Sequence, residues 1–285
     1  MKVKNALKEG ASILQEADVP DAGNDAKLLL SEVTGIRPLD LFLKGDEELS
    51  PEAEEKYFSW IALRKDRVPL QAIVGHAAFM GLDFLVSADT LIPRPDTECL
   101  CEEALTYLKR GMKVLDLCTG TGCILLSLLA LQEGTNGIGS DISAEAVRLA
   151  ETNRDRLGLI DRAVFFAGDL FSALPGTGEK FDLIVSNPPY IPSGDLNGLM
   201  PEVKDFEPAR ALDGGADGLT FYRRIIDGTP DHLKDGGLLL FEIGCDEGAA
   251  VQGLLKEAGF KRIFVKKDYA GNDRVCGAFA GEGPV

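Results

Sequence analysis

The 285-residue sequence is poor in histidine, with only His76 and His232. That is too few imidazoles for a histidine-built metal site, and a histidine-dependent catalytic triad is not expected either. Six cysteines are present: Cys99, Cys101, Cys118, Cys123, Cys245 and Cys276. They form no Cys-x-x-Cys pair and are too sparse for a secreted disulfide scaffold, so reduced thiols, a cytoplasmic location and no metal are the expectation. Long hydrophobic runs are missing as well, none approaching the ~20 residues that span a bilayer. Met1 to Gly10 lacks both the apolar core and the small-residue cleavage site of a secretory signal, so no membrane association is expected. Positive charge is also short: 30 Lys and Arg face 46 Asp and Glu, giving a net charge of −16 and a pI near 4.6. The deficit is spread along the chain, 10 basic against 14 acidic groups in residues 1–75 and 20 against 32 beyond. A protein that grips nucleic acid through phosphates needs a basic face, so direct nucleic-acid binding is disfavoured.

What is present is an ordinary folded composition, 45% hydrophobic and 27% charged, on a chain long enough for two domains of unequal size. Residues 1–66 read as helical throughout. Leu7, Ile13 and Leu14 fall at helical spacing, Asp25 to Val33 holds a second apolar-rich set, and Ser50-Pro51 is a capping residue followed by proline at the first helical position. Ala77 to Met80 and Phe84 to Val86, either side of Gly81-Leu82-Asp83, suggest a short hairpin. From Asp96 onward short apolar runs alternate with helical patterns. Strands are expected at 113–117, 137–141, 163–167, 181–186 and 238–243, with helices at 124–132, 144–157, 219–233 and 247–258. Such alternation predicts an α/β fold, a parallel sheet with helices on both faces and ligands at the carboxyl ends of its strands.

Three stretches carry chemistry. Val114 to Ile124 is a strand entering a glycine-bearing turn and then a helix; Gly120 and Gly122 would let the backbone approach a ligand beside unpaired helix-start N–H groups. The dinucleotide fingerprint needs a third glycine at 125, where Leu125 stands, which weakens a nicotinamide reading. Asp141 ends the next strand, where a carboxylate can accept from both hydroxyls of a ribose or, with Ser143, cap a helix. Gly168-Asp169-Leu170 could set a carboxylate and an apolar wall beside a purine. The third stretch is Asn187-Pro188-Pro189-Tyr190 after the strand 181–186: the prolines stiffen a turn that aims the Asn187 oxygen and the Pro188 carbonyl at one planar NH2 group, with the Tyr190 ring available to stack.

Together with Pro93-Arg94-Pro95-Asp96-Thr97-Glu98, Thr119-Gly120-Thr121-Gly122, Glu207-Pro208, Leu212-Asp213-Gly214-Gly215, Asp217-Gly218-Leu219 with Tyr222, Glu242-Ile243-Gly244 and the Asp268 to Arg274 stretch, this turn resembles the HemK/PrmC protein-glutamine methyltransferases over nearly the whole chain. The resemblance implies a helical substrate-recognition domain (residues 1–75), a hairpin linker (76–95) and a Rossmann-like S-adenosylmethionine-dependent methyltransferase domain (96–285). It implies methyl transfer to the side-chain amide nitrogen of the glutamine in the Gly-Gly-Gln motif of class I peptide-chain release factors, with S-adenosylhomocysteine as product. Position by position, Cys118, Thr119, Gly120, Thr121 and Gly122 would line the methionine and ribose of the cofactor, Asp141 the ribose hydroxyls, and Asp169 and Leu170 the adenine. Asn187, Pro188, Pro189 and Tyr190 would hold the glutamine amide, with Asn187, Pro188 and Tyr190 catalytic and Asn187 also beside the cofactor. The sequence departs from the family at Cys118, where the turn usually begins with glycine, and at Leu170, where some relatives carry an aromatic residue.

The same turn serves enzymes that methylate DNA adenine, and the same chemistry can act on a ribosomal-protein glutamine. The acidic chain weighs against DNA. A pure cofactor binder would have no need of an amide clamp. A monomer that docks its protein substrate through the N-terminal helices is expected.

Overall fold

A computed structural model describes residues 1–176 and 178–283. They divide into two compact units, the smaller formed by Met1–His76 with Met200–Phe206, the larger by Ala77–Leu199 with Glu207 onward. The short segment Met200–Phe206, which sequence order places deep in the second domain, thus packs with the first.

The smaller unit holds α1 (Val3–Glu16), α2 (Ala22–Thr34), α3 (Pro51–Lys65), α4 (Leu70–Val74) and the short α8 (Pro201–Lys204). Helix α3 starts as its sequence requires: the Ser50 hydroxyl accepts from the Ala53 N–H at 3.1 Å, and Pro51, which has no N–H to satisfy, opens the first turn. Residues 1–66 are not helical throughout. Gly35 closes α2 in a left-handed conformation (φ 67°), and turns replace helix until Ser50. The core is Leu14, Leu29, Leu30, Leu41, Tyr57 and Ile61, all at most 2% exposed. Arg64 is buried beside that core because Asp25 and Glu202 accept from its guanidinium at 2.7 and 3.0 Å.

The larger unit contains, from Ala77 on, a two-stranded hairpin of β1 (His76–Phe79) and β2 (Leu82–Leu85), and a seven-stranded sheet. Its sheet strands are β3 (Lys113–Leu117), β4 (Asn136–Asp141), β5 (Ala163–Ala167), β6 (Phe181–Ser186), β7 (Leu233–Glu242), β8 (Lys261–Lys267) and β9 (Asp273–Phe279). The order is β5-β4-β3-β6-β7-β9-β8; β5 to β7 run parallel, while β9 pairs antiparallel with β7 and β8. The parallel α/β expectation therefore holds for the half of the sheet that carries the site, with an antiparallel pair added at one edge. Side chains alternate between two cores, as the two-residue period demands: Val114, Leu183, Val185, Leu238 and Leu240 on one face, Leu115, Ile184, Leu239 and Phe241 on the other.

The first face is covered by α5 (Pro95–Tyr107), α6 (Cys123–Leu131) and α7 (Ala144–Arg156), the second by α9 (Thr220–His232) and α10 (Gly248–Glu257). Phe79 and Phe84 of the hairpin meet edge to face at 6.2 Å inside the first core. Because β3 has β4 on one side and β6 on the other, the chain's direction of winding reverses at its carboxyl end, and the loops there part to leave a crevice.

Candidate active site

The crevice is a cavity of about 370 Å³, within the range of roughly 300–1,000 Å³ usual for ligand pockets. Of the expected site residues, Cys118, Thr119, Gly120, Thr121, Asp141, Asp169, Leu170, Asn187 and Pro189 line it, so four separate strand ends deliver one site. Gly122, Pro188 and Tyr190 do not reach its wall. Gly122 stands behind the turn as the cap of α6 with φ 79°, where a Cβ would meet Ala150 and Leu126 at 3.1 Å. Only glycine satisfies both the angle and the space.

The turn after β3 is held from below and from the side. The Thr119 hydroxyl donates to Asp116 Oδ2 at 2.6 Å, its N–H donates to the Ser140 carbonyl at 3.0 Å, and the Gly120 N–H donates to Asp141 Oδ2 at 2.9 Å. Burial pushes the Asp116 carboxyl up to about 7 against the pull of Thr119. The Nδ2 of Asn153, on α7, donates to the Thr121 carbonyl at 3.0 Å and to that of Leu85 at 3.1 Å, tying turn and hairpin together. Cys118 takes the left-handed conformation, φ 60°, that glycine would adopt without strain, and Leu170 does the same at φ 50°. Both departures from the family pattern therefore sit at strained backbone on the cavity wall, and burial pushes the Cys118 thiol up, away from thiolate chemistry.

Asp141 does not cap α7; the Ser143 hydroxyl does, accepting from the Ala146 N–H at 3.2 Å, while Asp141 Oδ1 accepts from the Ser143 N–H at 2.9 Å. Each carboxylate oxygen keeps lone pairs for a further donor, and burial pushes the group up. Asp169 pairs with Arg224 at 2.6 Å at the cavity edge.

The Asn187 turn is anchored on both flanks. The Ser186 hydroxyl donates to the Leu117 carbonyl at 2.7 Å, locking the end of β6 to that of β3. Asn187 Nδ2 donates to the Thr97 hydroxyl at 3.4 Å, which leaves its Oδ1 as the free acceptor. The Tyr190 hydroxyl is directed at Glu242 Oε1, 3.4 Å away, and its ring packs with the second core. The expected stacking of Tyr190 on a bound amide is thus replaced by an anchoring contact, because the buried Glu242 carboxylate offers the phenol an acceptor that the cavity does not. Pro188 likewise lies behind the wall rather than on it.

Sequence reading assigned no role to Arg94, Thr97, Arg210, Arg224 or Phe221, all of which line the cavity. Arg94 is set by Glu207, which accepts from its guanidinium at 2.6 Å and from the Ile92 N–H at 3.2 Å. Arg210 donates to the Ser143 hydroxyl at 3.0 Å. These arginines share the cavity wall with Asp89, Asp141, Asp169 and Asp213, so it carries charge of both signs. Arg94 and Thr97 lay inside the Pro93 to Glu98 motif, the one signal that could have marked them. His232 stacks on Phe171 at 4.4 Å and neither histidine lines the cavity. Among the described residues no group of three or more His, Cys, Asp or Glu is placed to hold a metal, and no helix is long and apolar enough to cross a membrane.

The PrmC N-terminal domain family matches residues 5–75, and a methyltransferase domain family matches residues 108–225. The release factor glutamine methyltransferase of Clostridium acetobutylicum is 42% identical over 283 residues, 99% of each chain. That of Rhodospirillum rubrum is 46% identical over 269 residues, 94% of this chain and 82% of the relative. A methyltransferase structure from Pyrococcus furiosus, 18% identical with a TM-score of 0.53, covers 81% of this chain and is itself covered in full, showing the same fold.

Proposed function

We propose, because this chain belongs to the release factor glutamine methyltransferases, that it methylates the side-chain amide nitrogen of the glutamine in the Gly-Gly-Gln motif of class I release factors, with S-adenosylmethionine as donor. The observation that carries the reading is the Asn187 amide: its nitrogen is engaged by Thr97 and its oxygen is left to accept, on the wall of the cavity that Gly120 and Asp141 also line.

The cavity residues suit the donor. Gly120, at φ 54°, has open space where a Cβ would stand; the Thr121 hydroxyl is buried without a partner among the described residues, and Asp141 has lone pairs to spare for a diol. Cys118 to Thr121 would hold the methionine and ribose part, Asp141 the ribose hydroxyls, and Leu170 with Phe221 the base. Bound there, the donor supplies a sulfonium methyl group as electrophile. The protein's own task is to prepare the nucleophile. An amide nitrogen is weakly nucleophilic because its lone pair is delocalised into the carbonyl, so orientation and polarisation of the NH2 must supply the rate. Asn187 Oδ1 accepts one amide hydrogen, a backbone carbonyl of the stiff proline turn accepts the second, and the nitrogen is thereby aimed. No side-chain base is required in this step, since the proton leaves once the nitrogen has become cationic.

The smaller unit is assigned to substrate docking. Leu39, Phe42 and Leu43, on the turns between α2 and α3, are 88%, 91% and 80% exposed, an apolar knob suited to a protein partner. Incubation with labelled S-adenosylmethionine and, separately, a class I release factor, a ribosomal protein and DNA tests the reading. Label should enter only the release factor and disappear with Asn187→Ala; label in DNA alone, or undiminished transfer by Asn187→Ala, would overturn it.

A further inference from the structure

Glu242 is, like Asp116, a deeply buried carboxyl beside the site. It ends β7, is 2% exposed, and its Oε2 accepts no hydrogen bond of ordinary geometry among the described residues, although the Thr97 hydroxyl faces the carboxylate. A carboxylate this deeply buried ordinarily pairs with a cation. The nearest candidate, Arg274 of β9, is instead engaged by Asp268 at 3.1 Å and Asp96 at 3.4 Å. The groups that face Glu242 are the hydroxyls of Thr97 on α5 and Tyr190 on the amide turn, the charges of Arg274 and Asp96, and the thiols of Cys101 and Cys123 on α5 and α6. Its backbone carbonyl accepts from Tyr222 of α9 at 3.0 Å, and Glu247 shares that phenol at 3.0 Å.

We propose that Glu242 is a positioning residue for methyl transfer, which takes the hydrogens of the Thr97 and Tyr190 hydroxyls and through Thr97 sets which end of the Asn187 side-chain amide faces the substrate. The inference rests on the reading of Asn187 as the amide clamp. An ionised carboxylate only accepts, so both hydroxyls must turn their hydrogens toward it. Thr97 then has only lone pairs to offer Asn187, which answers with Nδ2 and presents Oδ1 to the cavity. Were position 242 to present a donor, the Thr97 hydrogen would be displaced toward Asn187, the amide would be better satisfied turned over, and an NH2 would confront the substrate's own NH2. Glu242 does not itself line the cavity, so its influence on the site passes through Thr97, which does, and through Tyr190.

Glu242→Gln and protonation are two ways of putting a donor there. Burial pushes this carboxyl up to about 7, against the pull of Thr97, Arg274 and Tyr190, so the wild type crosses from one state to the other near neutrality. The test is steady-state methylation of a purified class I release factor by the full-length protein at saturating S-adenosylmethionine, from pH 6 to 9, with donor affinity measured separately by calorimetry. Wild-type kcat should fall below about pH 7. Glu242→Gln should lower kcat on the order of 10²-fold, as for a displaced catalytic contact, and abolish that acid limb, with donor affinity unchanged. Thr97→Val, nearly isosteric, should give a similar loss, and the double variant should be no worse than the poorer single one.

Turnover within twofold of wild type in Glu242→Gln, losses that multiply in the double variant, or donor affinity falling in step with kcat would each overturn the proposal. Thr97→Val carries the test if Glu242→Gln does not fold. An inactive Asn187→Ala beside active Glu242→Gln and Thr97→Val removes the relay alone; an active Asn187→Ala removes the clamp itself.

Discussion

A Cβ placed on Gly214 would come within 2.7 Å of Tyr190 Cα, so the loop after residue 211 lies directly against the backbone of the amide turn. The Gly214 N–H donates to the Ile191 carbonyl at 2.8 Å, and the Ile191 N–H donates to that of Leu212 at 3.0 Å. Gly214→Ala must part the two segments, and a shift of about 1 Å at a positioning element costs on the order of 10²-fold in rate. kcat for a release factor should fall by that order while donor affinity stays unchanged. Near-wild-type kcat in this variant would show that the turn holds its shape without the loop.

In the smaller unit, Glu202 accepts from Arg67 at 2.7 and 2.6 Å and from Arg64 at 3.0 Å. Burial raises its carboxyl, but the hydrogen bonds from Arg67 and Arg64 outweigh that and hold it at about 2, below the ordinary 4.5. A depressed value stabilises the fold fully above the ordinary one and is lost as pH falls through the folded one. Glu202→Gln, which leaves a buried Arg64 short of a partner, should cost about 3 kcal/mol near pH 7. The gap from wild type in denaturant unfolding should close between pH 4.5 and 2; a gap constant over that interval would count against the network.

Glu242 has the opposite sign. Its folded value, about 7, lies above the ordinary 4.5, so its contribution is fully present below 4.5 and lost as pH rises through 7. Removing the buried charge with Glu242→Gln should therefore shift stability relative to wild type by about 2 kcal/mol in the variant's favour between pH 5 and pH 8. Urea titrations at the two values check this, and a shift in the other direction refutes it. Glu242→Gln is thus expected to lose activity while gaining stability relative to wild type at alkaline pH.

For docking, Phe42→Ser with Leu43→Ser changes two almost fully exposed side chains and should leave the unfolding midpoint within about 0.5 kcal/mol of wild type. The KM for an intact release factor should rise about tenfold or more, whereas a short Gly-Gly-Gln peptide should be methylated as before. Equal effects on both substrates would remove the docking role.

The local physics of the chain was legible without coordinates wherever a pattern is short-range. The apolar runs at 113–117, 163–167 and 181–186 became β3, β5 and β6 at those residues: β3 and β6, buried on both faces, leave a continuous hydrophobic mark, while β5 is an edge strand of alternating burial. Ser50-Pro51 opened α3 through a cap that needs only neighbouring residues. The stiff turn at Asn187 and the glycine turn at Gly120 were visible for the same reason. Strand β8 was not, since Lys261–Lys267 is a half-exposed edge whose alternation is diluted by lysines, nor was its partner β9. Helix α5 was also passed over, although Pro95 at its first turn is a start signal.

What the sequence determined by itself is the α/β order of the larger unit, the two ligand-facing turns and the family they identify. What only the tertiary structure decided is which distant groups meet. Glu202 reaches Arg64 across 138 positions, and Glu242 reaches Tyr190 across 52. A carboxylate announces its charge in the sequence but not its burial, because burial is a property of the elements packed around it, and it is burial that turns Glu242 from a surface charge into an acceptor able to set the polarity of the site.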